Sequence, residues 1–523
     1  MIGLAVFLLG AAAAYGVARR LGVPTTPFLL LAGIVLNVLD LVPRAILQDS
    51  LVLGLTFLLF VTGIELSPRR VRAQRRAALR VGLFQFGVLG AAGVGLSLAL
   101  GLDPLTAAYL GLALTASSTL VVVRLLQRRK QLFEPFGRLV VGVLLLQDVL
   151  VILLVPLLTR LPEGPASVAW GVLGTAALVA LAFAFQRWAT PLLVSLQHEE
   201  EVLLLAVLSV LFAFVGLADA LALPLAAGAF LAGVTLSPFP VSGMIRGQLA
   251  PVAEFFTAIF FIALGALLSA PGPVVLLHAL ALAALVVLAT PPLVVWVAER
   301  SGFAARPGIE SGLLLSQTSE LSLVVGLQGL LLAQITPDVF TTLALVTVAT
   351  MVLTPFLATE PVVRRLMRLH PLARAGEVAP PSGHVLLLGC GSGGMPLLET
   401  LLALGEAVVV VDDDPEVVER LREGEVTCIR GDAADPEALR QAGAGRAKLI
   451  SSTVRRPRDN RRLLETVEDV PVLVRVFDDD EAAWVAELGG IPVMYSEAAA
   501  EEFLRWFDRL PAPAGGGAAN RNP

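Results

Sequence analysis

The first 360 residues form a succession of apolar segments, each about twenty residues long, which is the length that spans a bilayer as a helix. The chain is 56% hydrophobic and only 15% charged, a balance that excludes a soluble globular protein of this length. We therefore expect a polytopic α-helical membrane protein in contact with the lipid bilayer. We count about thirteen segments: 2–18, 27–43, 49–66, 80–101, 104–125, 137–159, 167–187, 200–217, 220–236, 252–270, 273–298, 310–333 and 337–359.

The lysine and arginine residues are distributed unevenly among the loops. If the odd-numbered segments end in the cytoplasm, the cytoplasmic loops hold the basic runs 19–20, 69–80 and 128–130. The opposite loops then hold only Arg44 and Arg160. Because cytoplasmic loops carry the excess of positive charge, this distribution predicts an outside N-terminus and a cytoplasmic C-terminal domain.

Asp148 lies near the middle of segment 137–159, directly after Gln147. A carboxylate at that depth costs roughly 3 kcal/mol or more in hydrocarbon, so such residues usually face a water-filled cavity and handle ions or protons. The alternative is a structural acid that is paired with another helix. We interpret Asp148 as the site of a monovalent cation and of a proton.

Two other segments have polar centres. Segment 104–125 contains Thr115, Ser117, Ser118 and Thr119, and segment 310–333 contains Gln317 and Glu320. Hydroxyls and the freed carbonyls of an interrupted helix can replace the water shell of a monovalent cation, and the two segments occupy comparable places, as an inverted repeat requires. The alternative is that these side chains bond within intact helices or between helices. Together with Asp148, the pattern favours an ion site.

The pattern changes after Pro361. A polar linker, 361–382, precedes a region of short apolar strands and amphipathic helices, 383–507, and the Pro/Ala/Gly-rich tail 508–523 is predicted to be disordered. In 383–507, a strand, a glycine turn, a helix and a second strand ending in an acid follow in the order of a dinucleotide-binding domain. The residues predicted to bind the ligand here are Gly389, Gly391, Ser392, Gly393, Gly394 and Asp412. The glycines would let backbone amides approach a phosphate at the helix start, and Asp412 would accept from ribose hydroxyls.

Six motifs follow one another in the membrane region: Phe57–Arg70, Leu114–Leu120, Leu146–Val149, Gly228–Ser237, Phe260–Gly265 and Leu315–Glu320. With these motifs, residues 1–360 resemble the cation:proton antiporter 2 family. Within that family, Gln147-Asp148 in place of two aspartates is similar to the Kef-type potassium:proton antiporters. The resemblance implies that 104–125 and 310–333 are two broken, crossing helices beside Asp148, in a homodimer of the bacterial inner membrane.

One departure from the family pattern has a physical consequence. Many members with two aspartates carry a lysine before the second crossing helix, but segment 273–298 has neither lysine nor arginine, and Gln147 replaces the first acid. Loss of one partner of a buried pair would leave an uncompensated charge, whereas loss of both is self-consistent. A single titrating carboxylate then holds either a proton or a cation, which favours one-for-one, electroneutral exchange.

The C-terminal region resembles the nucleotide-binding RCK (TrkA-N) domain, in particular at Asp412–Pro415, which includes Asp413, and at Arg430–Asp435, which includes Asp432. The resemblance implies a regulatory adenine nucleotide, either AMP or NAD(H), and allows for a soluble regulatory subunit. Ser392 stands where Kef-type relatives often carry a basic residue, which disfavours glutathione gating. A degenerate domain that binds nothing is the alternative.

The sequence therefore predicts a secondary transporter that exchanges K⁺ for H⁺ through Asp148 by alternating access under nucleotide control. We expect no enzyme activity and no nucleic-acid partner. A Na⁺/H⁺ antiporter of the same fold is the first alternative. An RCK-gated cation channel is the second, but a potassium channel would need a filter such as Thr-Val-Gly-Tyr-Gly, which the sequence lacks.

Overall fold

The structure is a computed structural model whose contacts divide the chain into two units. The first contains Met1–Ser301 and Pro307–Arg368, and the second contains Gly302–Arg306 and Leu369–Pro523. The structure describes residues 2–21, 25–39, 44–65, 75–129, 131–132, 134–195, 200–237, 241–268, 270–303, 305–369, 382–391, 393–424, 426–467, 469–495, 500 and 504.

The described part of the chain up to residue 369 is helical, and every predicted apolar segment overlaps one helix or a pair of them. The helices are α1 (Ile2–Leu21), α2 (Thr26–Val38), α3 (Arg44–Glu65), α4 (Arg75–Ala99), α5 (Pro104–Ala113), α6 (Thr119–Arg128), α7 (Pro135–Leu158), α8 (Pro165–Ser195), α9 (Glu200–Ala220), α10 (Leu225–Thr235), α11 (Val241–Ala266), α12 (Pro273–Arg300), α13 (Ala305–Leu315), α14 (Glu320–Leu331), α15 (Pro337–Leu357) and α16 (Glu360–Leu369).

Among the described residues, six stretches are long and apolar enough to cross a membrane. They are Arg75–Ala99, Pro135–Glu163, Pro165–Trp188, Glu201–Ala220, Pro273–Arg300 and Pro337–Leu357. Shorter apolar helices occur as well: Thr26–Val38 precedes the first of these stretches, and Leu225–Thr235 lies between two of them along the chain. The total of thirteen crossings and their inverted repeat therefore stay predictions.

Both polar-centred segments are interrupted, as the sequence predicts. α5 ends at Ala113 and α6 begins at Thr119, while α13 ends at Leu315 and α14 begins at Glu320. A serine caps each helix that follows a break. The Ser118 hydroxyl accepts from the backbone N–H of Val121 at the start of α6, and Ser319 caps α14 in the same way. Hydroxyl side chains thus satisfy amides that a helix start leaves without an intrahelical partner.

Glycines let the helices of the first unit approach closely. A Cβ atom on Gly63 of α3 would collide with the backbone of α10, and one on Gly233 of α10 would collide with the backbone of α3. Gly33 of α2 and Gly265 of α11 form a second such pair. Since lipid tails are as apolar as the side chains, helices in a membrane associate largely through close packing of this kind.

The second unit contains one parallel six-stranded sheet in the order β3-β2-β1-β4-β5-β6. This is the strand order of the dinucleotide-binding fold, in which ligands bind beyond the carboxyl ends of the strands. The strands are β1 (Val385–Leu388), β2 (Val408–Asp412), β3 (Cys428–Arg430), β4 (Leu449–Ser452), β5 (Val472–Val476) and β6 (Ile491–Met494). The helices are α17 (Met395–Ala403), α18 (Pro415–Glu423), α19 (Pro436–Gln441), α20 (Pro457–Thr466) and α21 (Asp479–Glu487).

The predicted linker, 361–382, begins as a helix, since α16 runs to Leu369. Residues 370–381 of that linker and the predicted disordered tail, 508–523, lie outside the described residues. Two of the six strands, β1 and β2, are the predicted strands on either side of the glycine turn and its helix. β3 and β6 are short and partly exposed, so the sequence gives no clear signal for them.

The contact between α3 and α10 gives a first prediction. Gly63→Ala should lower the free energy of unfolding by about 1–3 kcal/mol, because the added methyl group forces two tightly packed backbones apart. Gly87→Ala in α4 is the matched control, since a Cβ atom there meets nothing within 4 Å. It should leave stability unchanged or raise it slightly. Thermal unfolding in detergent measures both, and equal melting temperatures for the two variants would contradict the packing role.

Candidate functional site

The two breaks meet inside the first unit and satisfy each other's helix ends. The Ser117 hydroxyl, in the first break, donates to the carbonyl oxygen of Leu315, the last residue of α13, at 2.9 Å. The Ser322 hydroxyl, in the first turn of α14, donates to the carbonyl oxygen of Ala113, the last residue of α5, at 2.5 Å. The last carbonyls of a helix have no intrahelical partner. Each interrupted segment therefore supplies a hydrogen bond that the other one lacks.

Gln147 and Asp148 on α7 both face the first break. The Gln147 side-chain oxygen accepts from the backbone N–H of Ser117 at 3.1 Å. The Asp148 carboxylate accepts from the Thr119 hydroxyl at 3.0 Å, and Asp148 is only 2% exposed. The carboxylate thus lies at the start of α6, where partial positive charge from the helix end favours an anion.

Glu320 joins the two breaks from the other side. It is the first residue of α14, and its carboxylate accepts from the Ser118 hydroxyl at 2.9 Å for Oε2 and 3.2 Å for Oε1. A negative charge at a helix N-terminus is stabilised by the helix dipole. Glu320 therefore has a structural role in addition to any contact with an ion.

Thr115 and Gln317 bond locally instead of joining the two breaks. The Thr115 hydroxyl donates to the carbonyl of Leu112 at 2.7 Å, and the Gln317 amide donates to the carbonyl of Leu314 at 3.3 Å. These two side chains therefore bond within their own segments, as the alternative interpretation of the polar centres predicts. The structure brings together the other six residues predicted in the membrane region: Ser117, Ser118, Thr119, Gln147, Asp148 and Glu320.

A cavity of about 280 Å³ reaches Asp148, Thr119 and Glu320. Its other polar lining residues come from five helices and from the second break, and they were not predicted as site residues. They are Tyr15, Thr25, Thr26, Thr62, Arg124, Glu254, Thr257 and Ser319. Tyr15 lies near the end of α1, Thr25 and Thr26 at the start of α2, and Thr62 near the end of α3, which are the helix ends that the charge distribution assigns to the cytoplasm.

Glu254 and Arg124 are the charged residues that sequence reasoning missed in this cavity. Glu254 lies in α11, where a single acid within an otherwise apolar segment was the available signal. Arg124 lies in α6, four residues before the basic run 128–130. The cavity therefore contains three carboxylates and one guanidinium group, which suits a cation and not an anion.

The glycine turn of the second unit lies between β1 and α17. Gly389 has a φ of +82°, a conformation that favours glycine, and a Cβ atom on Gly394 would collide with the Gly389 carbonyl. Gly391 has open space around its Cα. Ser392, which the sequence analysis included in the site, lies outside the described residues.

Asp412 ties the end of β2 to this turn. Its carboxylate accepts from the backbone N–H of Cys390 at 2.5 Å and from that of Asp414 at 2.8 Å. Burial raises the pKa of Asp412, although both amides oppose that change. The carboxylate already has two backbone partners, so a ribose hydroxyl would have to share it with them.

Asp432, a second predicted ligand residue, lies in a buried ion cluster. Its carboxylate is 3.2 Å from Arg306 Nε, in the short segment that belongs to the second unit, and 3.7 Å from Arg456 Nη1. Arg456 also lies 4.0 Å from Asp413. Burial alone would raise the pKa of Asp432, but the two guanidinium groups outweigh burial and hold that pKa below its usual value. Sequence reasoning missed both arginines, because no local pattern links them to Asp432.

Comparison with known proteins agrees with this architecture. Residues 4–363 match the family model described as sodium/hydrogen exchanger, transmembrane, and residues 385–505 match the TrkA-N domain. The first match covers more than half of the chain, so the protein belongs to the sodium/hydrogen exchanger family and is a multi-pass membrane protein with a C-terminal TrkA-N domain.

The chain is homologous to the glutathione-regulated potassium-efflux system protein KefC. It is 29% identical to KefC of Salmonella typhimurium over 514 residues, which cover 92% of this chain and 81% of the relative. It is 28% identical to KefC of Escherichia coli K12 over 517 residues, with 94% and 82% covered. The predicted kinship with Kef-type antiporters that carry an RCK domain is therefore confirmed.

Two solved structures are similar to parts of the chain. The TrkA-N domain of the inner membrane protein ybaL from Escherichia coli is 29% identical and covers 24% of this chain and 97% of that one, with a TM-score of 0.23. The GsuK channel bound to NAD is 20% identical and covers 42% and 41%, with a TM-score of 0.21.

The ion cluster around Asp432 gives a prediction for pH. Because the folded-state pKa is lowered, the stabilisation is fully present above the usual aspartate pKa of 3.8 and is lost as the pH falls below it. At neutral pH, Asp432→Asn should lower the free energy of unfolding by about 3 kcal/mol, since it removes one of the buried carboxylates, Asp432 and Asp459, that pair with the guanidinium groups of Arg306 and Arg456. The difference from wild type should shrink in acid.

Thermal unfolding of the full-length protein over a pH series measures this difference. Glu487→Gln, an exposed position in α21, is the control and should match wild type throughout. Equal stability of Asp432→Asn and wild type at pH 7 would show that the cluster contributes nothing.

Proposed function

We propose that the protein exchanges K⁺ for H⁺ across the membrane, with Asp148 holding either the cation or the proton. The observation that carries this proposal is a buried carboxylate at the meeting point of two broken helices, on the wall of a polar cavity. Interrupted helices at the membrane midplane are where secondary transporters bind their ions. The choice of K⁺ rests on the curated relatives, whose name describes potassium efflux.

We further propose that exchange is electroneutral. Gln147 occupies the position next to Asp148 and is neutral, and its side-chain oxygen is used by the Ser117 amide. The Glu320 carboxylate accepts from the Ser118 hydroxyl at the start of α14, and in this proposal its role is structural. Asp148 is then the carboxylate whose charge must be neutralised in each half-cycle, by one cation or by one proton.

The position of the cavity supports a proposal for the conformational state of the transporter and for the route by which cations reach Asp148. Its lining comes from helix ends assigned to the cytoplasm, so we propose an inward-open conformation in which cations reach Asp148 from inside. Glu254 would attract cations along this route, and Arg124 would limit the negative charge that the carboxylates accumulate.

Na⁺/H⁺ exchange is the second candidate, because the matched family model describes sodium/hydrogen exchangers. Na⁺ and K⁺ differ in ligand distance and number. Proteoliposomes that contain a pH dye, offered K⁺, Na⁺, Rb⁺ or Li⁺ in turn, separate the two candidates. Activation by K⁺ and Rb⁺ but not by Na⁺ or Li⁺ supports the first.

Asp148→Asn should abolish exchange, because an amide can bind neither a proton nor a cation by charge. The amide oxygen can still accept the Thr119 hydroxyl, so the variant should fold. Exchange in proteoliposomes should fall to the rate of protein-free liposomes. Asp219→Asn, near the end of α9 and outside the cavity, is the control and should retain wild-type exchange. A near wild-type rate for Asp148→Asn would refute the carrier role.

We propose that residues 1–360 transport ions and that 383–507 regulate transport from the cytoplasm, joined by 361–382, with 508–523 as a tail. An adenine nucleotide, AMP or NAD(H), would bind with its phosphates over the amides at the start of α17. We also propose a homodimer and, as a further partner, a soluble regulatory subunit. Nucleotide can change transport only if it binds one arrangement of the protein better than another.

Gly391→Val tests nucleotide regulation without disturbing the fold, because a Cβ atom there meets nothing within 4 Å. The valine should fill the space that a phosphate needs, so nucleotide binding and the effect of nucleotide on exchange should both be lost. Apparent cation affinity should not change. Gly445→Val, at an equally open position of the same unit, is the matched control. Calorimetry on the full-length protein measures nucleotide binding. Binding by Gly391→Val that equals binding by wild type would reject the site.

A further inference from the structure

Arg475 lies against the glycine turn. It is on β5, where Val474 is level with Ser452 of β4, and Ser452 is level with Leu388 of β1. Arg475 therefore lies one residue beyond the level of Val474, Ser452 and Leu388. Gly389, which follows β1 two strands away, also lies one residue beyond that level. Its guanidinium group reaches across the end of β4 so far that a Cβ atom on Gly393 would collide with Nη1.

Two aromatic rings hold the guanidinium group in this position. Its central carbon is 4.3 Å from the ring centre of Tyr495 and 4.7 Å from that of Phe477. Stacking of this kind fixes an arginine without neutralising its charge. The orientation of Arg475 is thus set before any ligand arrives.

Within the part of the chain that the structure describes, Arg475 has no acidic partner, and its buried Nε makes no hydrogen bond. The charge of Arg455 acts on it in addition, and burial, followed by Arg455, lowers the pKa of Arg475. A fixed, uncompensated positive charge beside backbone amides is a site for a strong anion, above all for phosphate.

We propose that Arg475 is the residue that binds the phosphates of the regulatory nucleotide. The inference rests on the proposed nucleotide regulation and names the side chain that recognises the phosphates. At the start of α17 the amides of Gly394 and Met395 already donate to the Gly391 carbonyl, and Pro396 has no N–H. The planar guanidinium group of Arg475 presents several donors beside the turn, so it can contact two neighbouring phosphates of one ligand. Asp412 lies on the other side of the turn, at the end of β2, and the ribose would bind there.

Equilibrium binding to the purified full-length protein tests the proposal. Adenosine, AMP, ADP, NAD⁺ and inorganic pyrophosphate are offered to wild type and to Arg475→Gln. ADP should bind wild type more tightly than AMP. The substitution should weaken ADP binding about ten- to hundredfold, the usual loss for one charged hydrogen-bonding group, and leave adenosine binding unchanged.

Two further variants guard against a general loss of structure. Arg475→Lys keeps the charge and should retain part of the ADP affinity. Arg461→Gln removes another arginine that lies over an aromatic ring, 5.3 Å from the centre of Trp484, and should bind every compound as wild type does.

The outcomes separate this inference from the proposed regulation. Unchanged ADP binding by Arg475→Gln, or equal losses for adenosine and ADP, would overturn the role of Arg475 while nucleotide regulation stands. Pyrophosphate binding that depends on Arg475, with no binding of any nucleotide, would keep the anion site and refute nucleotide regulation. No binding of any phosphate compound to wild type would overturn both.

Discussion

The hydrogen bonds between the two interrupted segments are the interaction on which the rest of the membrane unit depends. The hydroxyl of Ser117 satisfies the last carbonyl of α13, and the hydroxyl of Ser322 satisfies the last carbonyl of α5. An unsatisfied carbonyl in hydrocarbon costs several kcal/mol, so neither break is tolerable without the other. The same geometry directs the Ser117 amide at Gln147 and thereby fixes α7, which carries Asp148.

Gln147 and Asp148 are adjacent but have different tasks. The Gln147 amide holds α7 to the first break with a hydrogen bond that does not depend on pH, because an amide does not titrate. In the proposed exchange cycle, Asp148 would therefore gain and lose a proton while this hydrogen bond stays unchanged. A second aspartate at position 147 would make the bond to the Ser117 amide depend on protonation as well. Because Gln147 is neutral, the residue that holds α7 in place differs from the residue that is proposed to bind the proton.

Much of the architecture could be predicted from the sequence, because apolar length, helix breakers and strand-turn-helix order are local patterns. Both breaks, the buried position of Asp148 and the glycine turn belong to this class. Contacts between distant segments could not be predicted. Glu254 lines the cavity with Asp148, and Arg306 pairs with Asp432, only because the fold brings together residues that are more than a hundred positions apart.

Contacts that the sequence does not reveal also give some predicted residues more than one role. Asp412 has the position of a ribose-binding acid at the end of β2, yet its carboxylate already accepts from the amides of Cys390 and Asp414. Each carboxylate oxygen can accept a second hydrogen bond, so a hydroxyl that bonds to this carboxylate shares an oxygen with the Cys390 amide, which belongs to the glycine turn, or with the Asp414 amide. In the proposed nucleotide complex, the turn and the ribose would therefore share one acceptor group. A carboxylate shared in this way gives a ligand a direct mechanical connection to the start of α17, which a free carboxylate at the same position would not give.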